Sequence, residues 1–261
     1  MSEATAVATS SPSMPWRSLM PWGISLAVMA VLPFLFEGGT AFTLMNVIGI
    51  NIVFAMSYNM LLGQGGMLSF GHAVFFGMGS YAAMHAMNAI DEASYTGEGF
   101  WAHIPVVSMP LVGMIAGGLV ALVIGWPFCR RAGTAFAMIT LGLGELVAAA
   151  GQMFPSLFGG EAGIFANRMV GPQWFGLELS SARDVYGFIA FWTLVAVAAM
   201  WAFTRTPLGR MSNAVRDNPD RMAFIGYQPR NIRYLIFIAS GAFGGLALSL
   251  IHISEPTRPS S

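Results

Sequence analysis

Lysine is absent from the 261 residues, and charge of either sign is scarce: 12 arginines stand against 12 acidic residues, and charged residues make up 9% of the chain against 56% hydrophobic. A soluble domain carries roughly a quarter charged residues, so there is too little charge here to clothe a surface in water. The missing lysine removes the phosphate-gripping residue of a nucleotide-binding P-loop, and any ATP hydrolysis linked to this chain must occur on another one. Balanced charge offers no basic excess for nucleic acid as a partner. The single Cys129 excludes an internal disulfide, and beside Arg130 and Arg131 it reads as a structural thiol. One cysteine and four scattered histidines, at 72, 85, 103 and 252, give no metal-ligand spacing, and nothing groups a Ser-His-acid set. No metal, cofactor or catalytic residue is expected on this chain.

What is present is apolar sequence in long runs, at about 20–36, 41–62, 66–88, 105–126, 132–154, 185–203 and 234–253. Each is long enough, or nearly so, to cross a bilayer. The runs lack the two-residue alternation of an outer-membrane barrel, and open strand edges leave backbone groups unpaired in lipid, so helices are expected. The fold class is all-α: a polytopic helical membrane protein with about seven transmembrane helices in this chain. Residues 1–17 read as a disordered leader, residues 18–253 as the membrane domain, and residues 254–261 as a tail. The first apolar run lacks a small-residue cleavage pattern and reads as a retained helix.

Arginine placement predicts an orientation, because cytoplasmic loops are enriched in positive charge. With the N-terminus inside, the inner segments hold Arg17, Arg130, Arg131, Arg205, Arg210, Arg216, Arg221, Arg230 and Arg233, and the outer ones only Arg168 and Arg183. Glu37, Asp91, Glu92, Glu98, Glu161, Glu178 and Asp184 all fall outside. Small residues every fourth position predict close helix contacts along Ser69, Ala73 and Gly77, along Gly113, Gly117, Ala121 and Gly125, and at Gly241 with Gly245.

Three features carry functional expectations. In "NIVFAMSYNMLLGQGGMLSFGHAVFFGMGSYAA", residues 51–83, Gly63, Gln64, Gly65 and Gly66 interrupt helical sequence that continues on both sides. This reads either as a broken helix lining a substrate pathway, with Asn51, Asn59, Gln64, Ser69 and His72 as its polar edges, or as a short cytoplasmic turn. Glu145 is the acid inside a span: either a functional carboxylate or a hydrogen-bonded tie between helices. The arginine-rich loop 204–233 carries two capping pairs, Thr206-Pro207 and Asn218-Pro219, which predict two short helices. The first presents Leu208, Met211 and Val215 on one face, and the second stops at Gly226. The loop reads as an element touched from the cytoplasm, or as a basic loop held by lipid phosphates.

The segments "LLGQGGMLSFGHAVFFGMGSYAA", "TLGLGELV", "LFGGEAGI" and "TPLGRMSNAVRDNPDRMAFIGYQPRNIRYLIFIASGAFGGLA" resemble, in that order, the permeases of bacterial ABC importers for branched-chain amino acids, of the LivM-like type. The likeness covers most of residues 41–247. It implies an inner-membrane importer, N-terminus cytoplasmic, with a second permease subunit, two cytoplasmic ATPase subunits that bind the ATP, and a periplasmic solute-binding protein. It also implies that loop 204–233 is the ATPase-coupling loop, with Pro207, Gly209, Arg210, Arg216, Asp217, Asn218, Asp220 and Gly226 as its site residues. Gly226 matches the glycine of the family's EAA-type motif, but the chain departs from that motif: the position six before it is Asp220, and the next two are Arg221 and Met222 instead of small residues. Importers of urea and short amides look similar in the same segments. An ion-coupled carrier using Glu145 is the rival transport reading, and an intramembrane enzyme using His72 and Glu145 is a third. The end, "SLIHISEPTRPSS", does not resemble the family and reads as a loop or a foreign terminus left by truncation.

Overall fold

A computed structural model describes residues 15–36, 38–96, 99–160, 163, 164, 166 and 181–254. Residues 1–14 of the expected leader, the tail from 255 onward, and Glu37, Glu98, Glu161, Arg168 and Glu178 lie outside the described residues. Among the described residues the regular elements are helices: α1 (Pro15–Leu35), α2 (Gly39–Asn59), α3 (Ala73–Thr96), α4 (Met109–Phe128), α5 (Thr134–Met153), α6 (Pro155–Phe158), α7 (Ala182–Arg205), α8 (Pro207–Asp217), α9 (Pro219–Phe224) and α10 (Pro229–Ser254). A π-helical turn, Met60–Gln64, continues α2 without a gap. Two compact units divide after Gly38, the first holding α1. Within α1, Pro21 and Pro33 interrupt the backbone ladder, and Ser25 Oγ donates to the Pro21 carbonyl at 2.9 Å.

Five of the expected runs are helices long and apolar enough to cross a membrane: Gly39–Gln64, Val106–Phe128, Thr134–Met153, Ala182–Arg205 and Pro229–Ile251. The run at 20–36 supplies only a shorter apolar stretch, Met20–Leu35. The run at 66–88 begins as irregular chain and becomes helical at Ala73, and α3 carries His85, Asn88, Asp91 and Glu92 toward its end. Its inner face, Ala83, Met84, Ala86, Met87 and Ile90, is buried in protein, so the helix does not depend on an all-round lipid-compatible surface.

In the second unit α10 is the most buried span, packed on α2, α3 and α4. The expected stripe on α4 is an interface: a Cβ on Gly113 would stand 2.5 Å from Ser249 Cβ, one on Gly117 2.5 Å from the Gly241 carbonyl, and one on Gly125 2.6 Å from Phe237 Cδ1. Gly241 and Gly245 are the other half of this contact, and Tyr234 donates to the Leu122 carbonyl at 2.7 Å across it. The stripe expected at Ser69, Ala73 and Gly77 does not form. Ser69 precedes the helix, Ala73 is exposed and Gly77 faces open space. The close-contact glycine of α3 is Gly79, which meets Gly245.

Candidate functional site

The break between α2 and α3 is built from backbone hydrogen bonds of mixed span. The amide of Gly65 donates to Met60 at 3.2 Å, that of Gly66 to Leu62 at 3.1 Å and that of Met67 to Leu61 at 3.1 Å. The wider ring of the π turn ends the helix, and Gly66, at φ +65°, takes the left-handed conformation that favours glycine. From Gly66 to Ser69 the chain has no regular secondary structure, and over 65–71 Gly65, Met67, Ser69 and Gly71 are buried while Gly66, Leu68 and Phe70 are exposed. One side of the break is thus packed into its own protein, and the other, with Leu68 and Phe70, is open.

Two neighbours pin it. At its far end the Phe70 amide donates to Thr140 Oγ1 of α5 at 3.2 Å, and a Cβ on Gly71 would stand 2.0 Å from the Thr140 carbonyl. At its near end lies α8. Ser212 Oγ donates to the Gln64 carbonyl at 3.2 Å, Arg216 Nη1 donates to the Gly63 carbonyl, and a Cβ on Gly66 would stand 2.5 Å from Arg216 Cγ. Leu61 and Met67 of the break share a buried cluster with Val215, Met222, Ile232, Ile236 and Phe237.

His72 closes the segment. It is buried, ringed by Phe54, Tyr58 and Phe75 with centroids 5.4, 5.4 and 5.7 Å away. Its Nε2 lies 3.1 Å from Ser57 Oγ, whose own hydrogen is directed at the Phe54 carbonyl, 2.7 Å away. Nε2 therefore donates to Ser57, and Nδ1 is left as a bare acceptor with no partner. Ser240 Oγ of α10 donates to the Ser57 carbonyl at 2.6 Å and ties this point to the central helix.

Of the expected pathway residues, Gln64, Ser69 and His72 thus lie along one segment; Gln64 Oε1 and Ser69 Oγ are also buried without partners. Asn59 sits at its root, its Oδ1 2.4 Å from where a Gly63 Cβ would stand. Asn51 lies two turns earlier, exposed and bonded to the Val47 carbonyl at 2.8 Å. Glu145 is not brought to them. It is exposed on α5, flanked by the exposed Leu141 and Leu146.

The loop 204–233 is the capped pair of short helices that its sequence predicts. Thr206 Oγ1 accepts from the Gly209 amide at 3.3 Å with Pro207 in the first turn, and Asn218 Oδ1 accepts from the Arg221 amide at 2.9 Å. Gly226, at φ +97°, ends α9: its amide donates to Ala223 at 3.0 Å and the Tyr227 amide to Met222 at 3.1 Å, the paired bonds of a glycine C-cap. Leu208 and Met211 are half-buried and Val215 is buried, as expected, but Gly209 and Ser212 share that face. Gly209 is close-packed, a Cβ there standing 2.5 Å from the Phe203 carbonyl. Arg210, Arg216, Asp217 and Asp220 are exposed, with Arg216 Nε 3.0 Å from Asp217 Oδ1. The tip of the hairpin is apolar and uncovered: Phe224 is 90% exposed, Ile225 63% and Tyr227 48%.

Sequence reasoning missed Ser57, Ser212, Ser240 and Thr140. Each is a hydroxyl at a small-residue position, and only Ser212 carried a signal, one turn from Gly209 and one from Arg216 on the same face of α8.

Comparison with known proteins places these features in a family. The family described as "Branched-chain amino acid transport system / permease component" matches residues 40–254. The high-affinity branched-chain amino acid transport system permease proteins LivM of Escherichia coli (strain K12) and Salmonella typhimurium (strain LT2) are each 29% identical over 251 residues, covering 87% of this chain and 56% of theirs. The chain thus spans little more than half the length of these relatives. No solved structure matches.

Proposed function

Since the chain belongs to the branched-chain amino acid transport permease family, and is a multi-pass membrane protein with helices suited to crossing a bilayer, we propose that it is a translocating subunit of an ABC importer for branched-chain amino acids. Separate ATPase subunits bind ATP and drive it, a second permease subunit completes the pathway, and a periplasmic solute-binding protein delivers the solute. The single observation that carries this reading is the hairpin 207–226: its inner face is packed into the core against the helix break, while its tip presents Phe224 and Ile225 to the outside. An exposed apolar knob on an otherwise charged loop is a contact point for another protein. Burial of α8 from below gives that contact a rigid path inward.

The N-terminus and hairpin are assigned to the cytoplasm of a bacterial inner membrane. In support, guanidinium groups cap the same ends of the spans that bear the hairpin: Arg130 stands 3.8 Å over Trp126, Arg230 5.0 Å over the same ring, and Arg205 3.8 Å over Trp201. Arginine stacked on tryptophan suits a membrane interface, and positive charge marks its cytoplasmic side. Ser69 and His72 are assigned to the solute pathway because they hold buried polar atoms without partners. Glu145 is assigned to the boundary with the second permease subunit, since a carboxylate left facing lipid is costly.

The test is purification of the full-length protein from its own host with mass spectrometry of what accompanies it, followed by reconstitution. Recovery of an ATPase pair, with ATP-dependent uptake of leucine, isoleucine or valine outcompeting urea and short amides, is the expected outcome. Uptake driven by an ion gradient alone, with no ATPase partner, overturns the reading in favour of an ion-coupled carrier.

A further inference from the structure

The carbonyls at the end of a helix lack the amides that would pair with them, and something else must supply donors. In the π turn, Met60, Leu61 and Leu62 are served by the amides of Gly65, Met67 and Gly66. The next two carbonyls, Gly63 and Gln64, receive their hydrogen bonds from α8: from Arg216 Nη1 and from Ser212 Oγ. Ser212 is wholly buried and also bonds the Gly209 carbonyl at 3.0 Å, so its hydroxyl is shared between its own helix and the break. A guanidinium at a helix C-terminus is favoured by the helix dipole as well as by the bond. The arginine stem can lie over the break only because residue 66 is glycine.

We propose that Ser212 and Arg216 form a latch through which α8 caps the π turn, and that partner-driven movement of the hairpin acts on the solute pathway by tightening or releasing that cap. The inference rests on the ABC-permease reading and names its internal transmission. Both are positioning residues: they touch neither solute nor nucleotide, but hold the segment 63–72 in which Ser69 and His72 sit. The geometry leaves α8 little alternative. Its inner face is packed with Leu61 and Met67, its outer end continues into α9, and the far end of the break is held separately by Thr140. Displacement of α8 must either drag the turn with it or strip two carbonyls of their donors, so the motion is concentrated in residues 63–69.

The experiment uses the complete importer, with ATPases and binding protein, in liposomes. Ser212→Ala combined with Arg216→Gln is compared with Arg216→Lys, which keeps the charge and one donor. The latch predicts that ATPase association stays within about twofold of the unsubstituted complex, while hydrogen exchange of the amides of residues 65–67 rises about tenfold, the loss expected for charge-assisted bonds. Solute taken up per ATP hydrolysed falls by about the same factor, and Arg216→Lys restores most of both. Unchanged exchange, or faster exchange with an unchanged transport ratio, overturns the latch, as does loss of ATPase association, which would make these residues docking contacts. If the unsubstituted complex recovers no ATPase, the importer reading itself has failed, and that result is distinct from every outcome for the variants.

Discussion

Gly79 and Gly245 meet backbone to backbone: a Cβ on Gly79 would stand 2.4 Å from Gly245 Cα. On its other side, a Cβ on Gly245 would stand 2.3 Å from the Gly113 carbonyl and 2.9 Å from Gly117 Cα. One residue of α10 is therefore the crossing point of three helices, held by the close van der Waals approach that small residues permit in membranes.

Gly245→Val places two methyl groups against backbone that cannot swing aside. The expected cost is about 3 kcal/mol or more, the upper end for overpacked interiors. Thermal unfolding in detergent reads it out, with Gly187→Ala as control: a Cβ at 187 meets nothing within 4 Å. The control should stay within about 1 kcal/mol of the parent.

Phe224→Asp removes the apolar knob without touching the core, since the ring is 90% exposed. Stability in detergent should not fall. Association with ATPase subunits should weaken at least about tenfold, as for an aromatic at the centre of an interface, measured by co-purification across a dilution series.

Burial pushes the Cys129 thiol up to about 12, only partly offset by the nearby Arg233 and Arg230. At pH 7 to 8 the folded protein should alkylate far more slowly than the chain in denaturant, because the thiolate is the reactive form. Linkage gives a second readout. The raised folded value disfavours the charged form, so this stabilisation is fully present below the ordinary thiol range and is lost as pH rises toward 12. The stability difference between the parent and Cys129→Ala should be flat to about pH 8.5 and then move against the parent.

Gly66→Ala strains a residue at φ +65° and drives its methyl into the arginine stem, 2.5 Å from Cγ. A loss of about 1 to 3 kcal/mol is expected from the backbone conformation. The same variant should loosen the amides of 65–67, read by hydrogen exchange.

His72→Leu keeps the aromatic enclosure filled and removes the bare acceptor Nδ1 and the bond to Ser57. The variant should assemble with its partners but show solute uptake reduced about tenfold or more, the loss expected when one hydrogen-bonding group of a pathway is deleted. Uptake unchanged in the reconstituted complex would remove His72 from the pathway.

Much of this protein was legible in its residues. The helix-forming runs, the α4 stripe and its α10 partner, the two caps at Thr206 and Asn218 and the stop at Gly226 are set by local chemistry: length against bilayer thickness, side-chain oxygens on free amides, and glycine in the left-handed region. Such rules act within a few residues, so sequence suffices.

The helix break was visible as "GQGG", but whether it was a wet turn or a segment packed on one side into the protein was not, since that depends on what covers it. Only the tertiary structure brings Ser212 and Arg216 across more than a hundred residues onto Gln64 and Gly63, sets Gly79 rather than Gly77 against α10, and leaves Glu145 on the outer face of α5. A hydroxyl or a glycine carries the same local preference wherever it falls. Its partner is fixed by helix phase and packing, quantities that no short window of sequence contains.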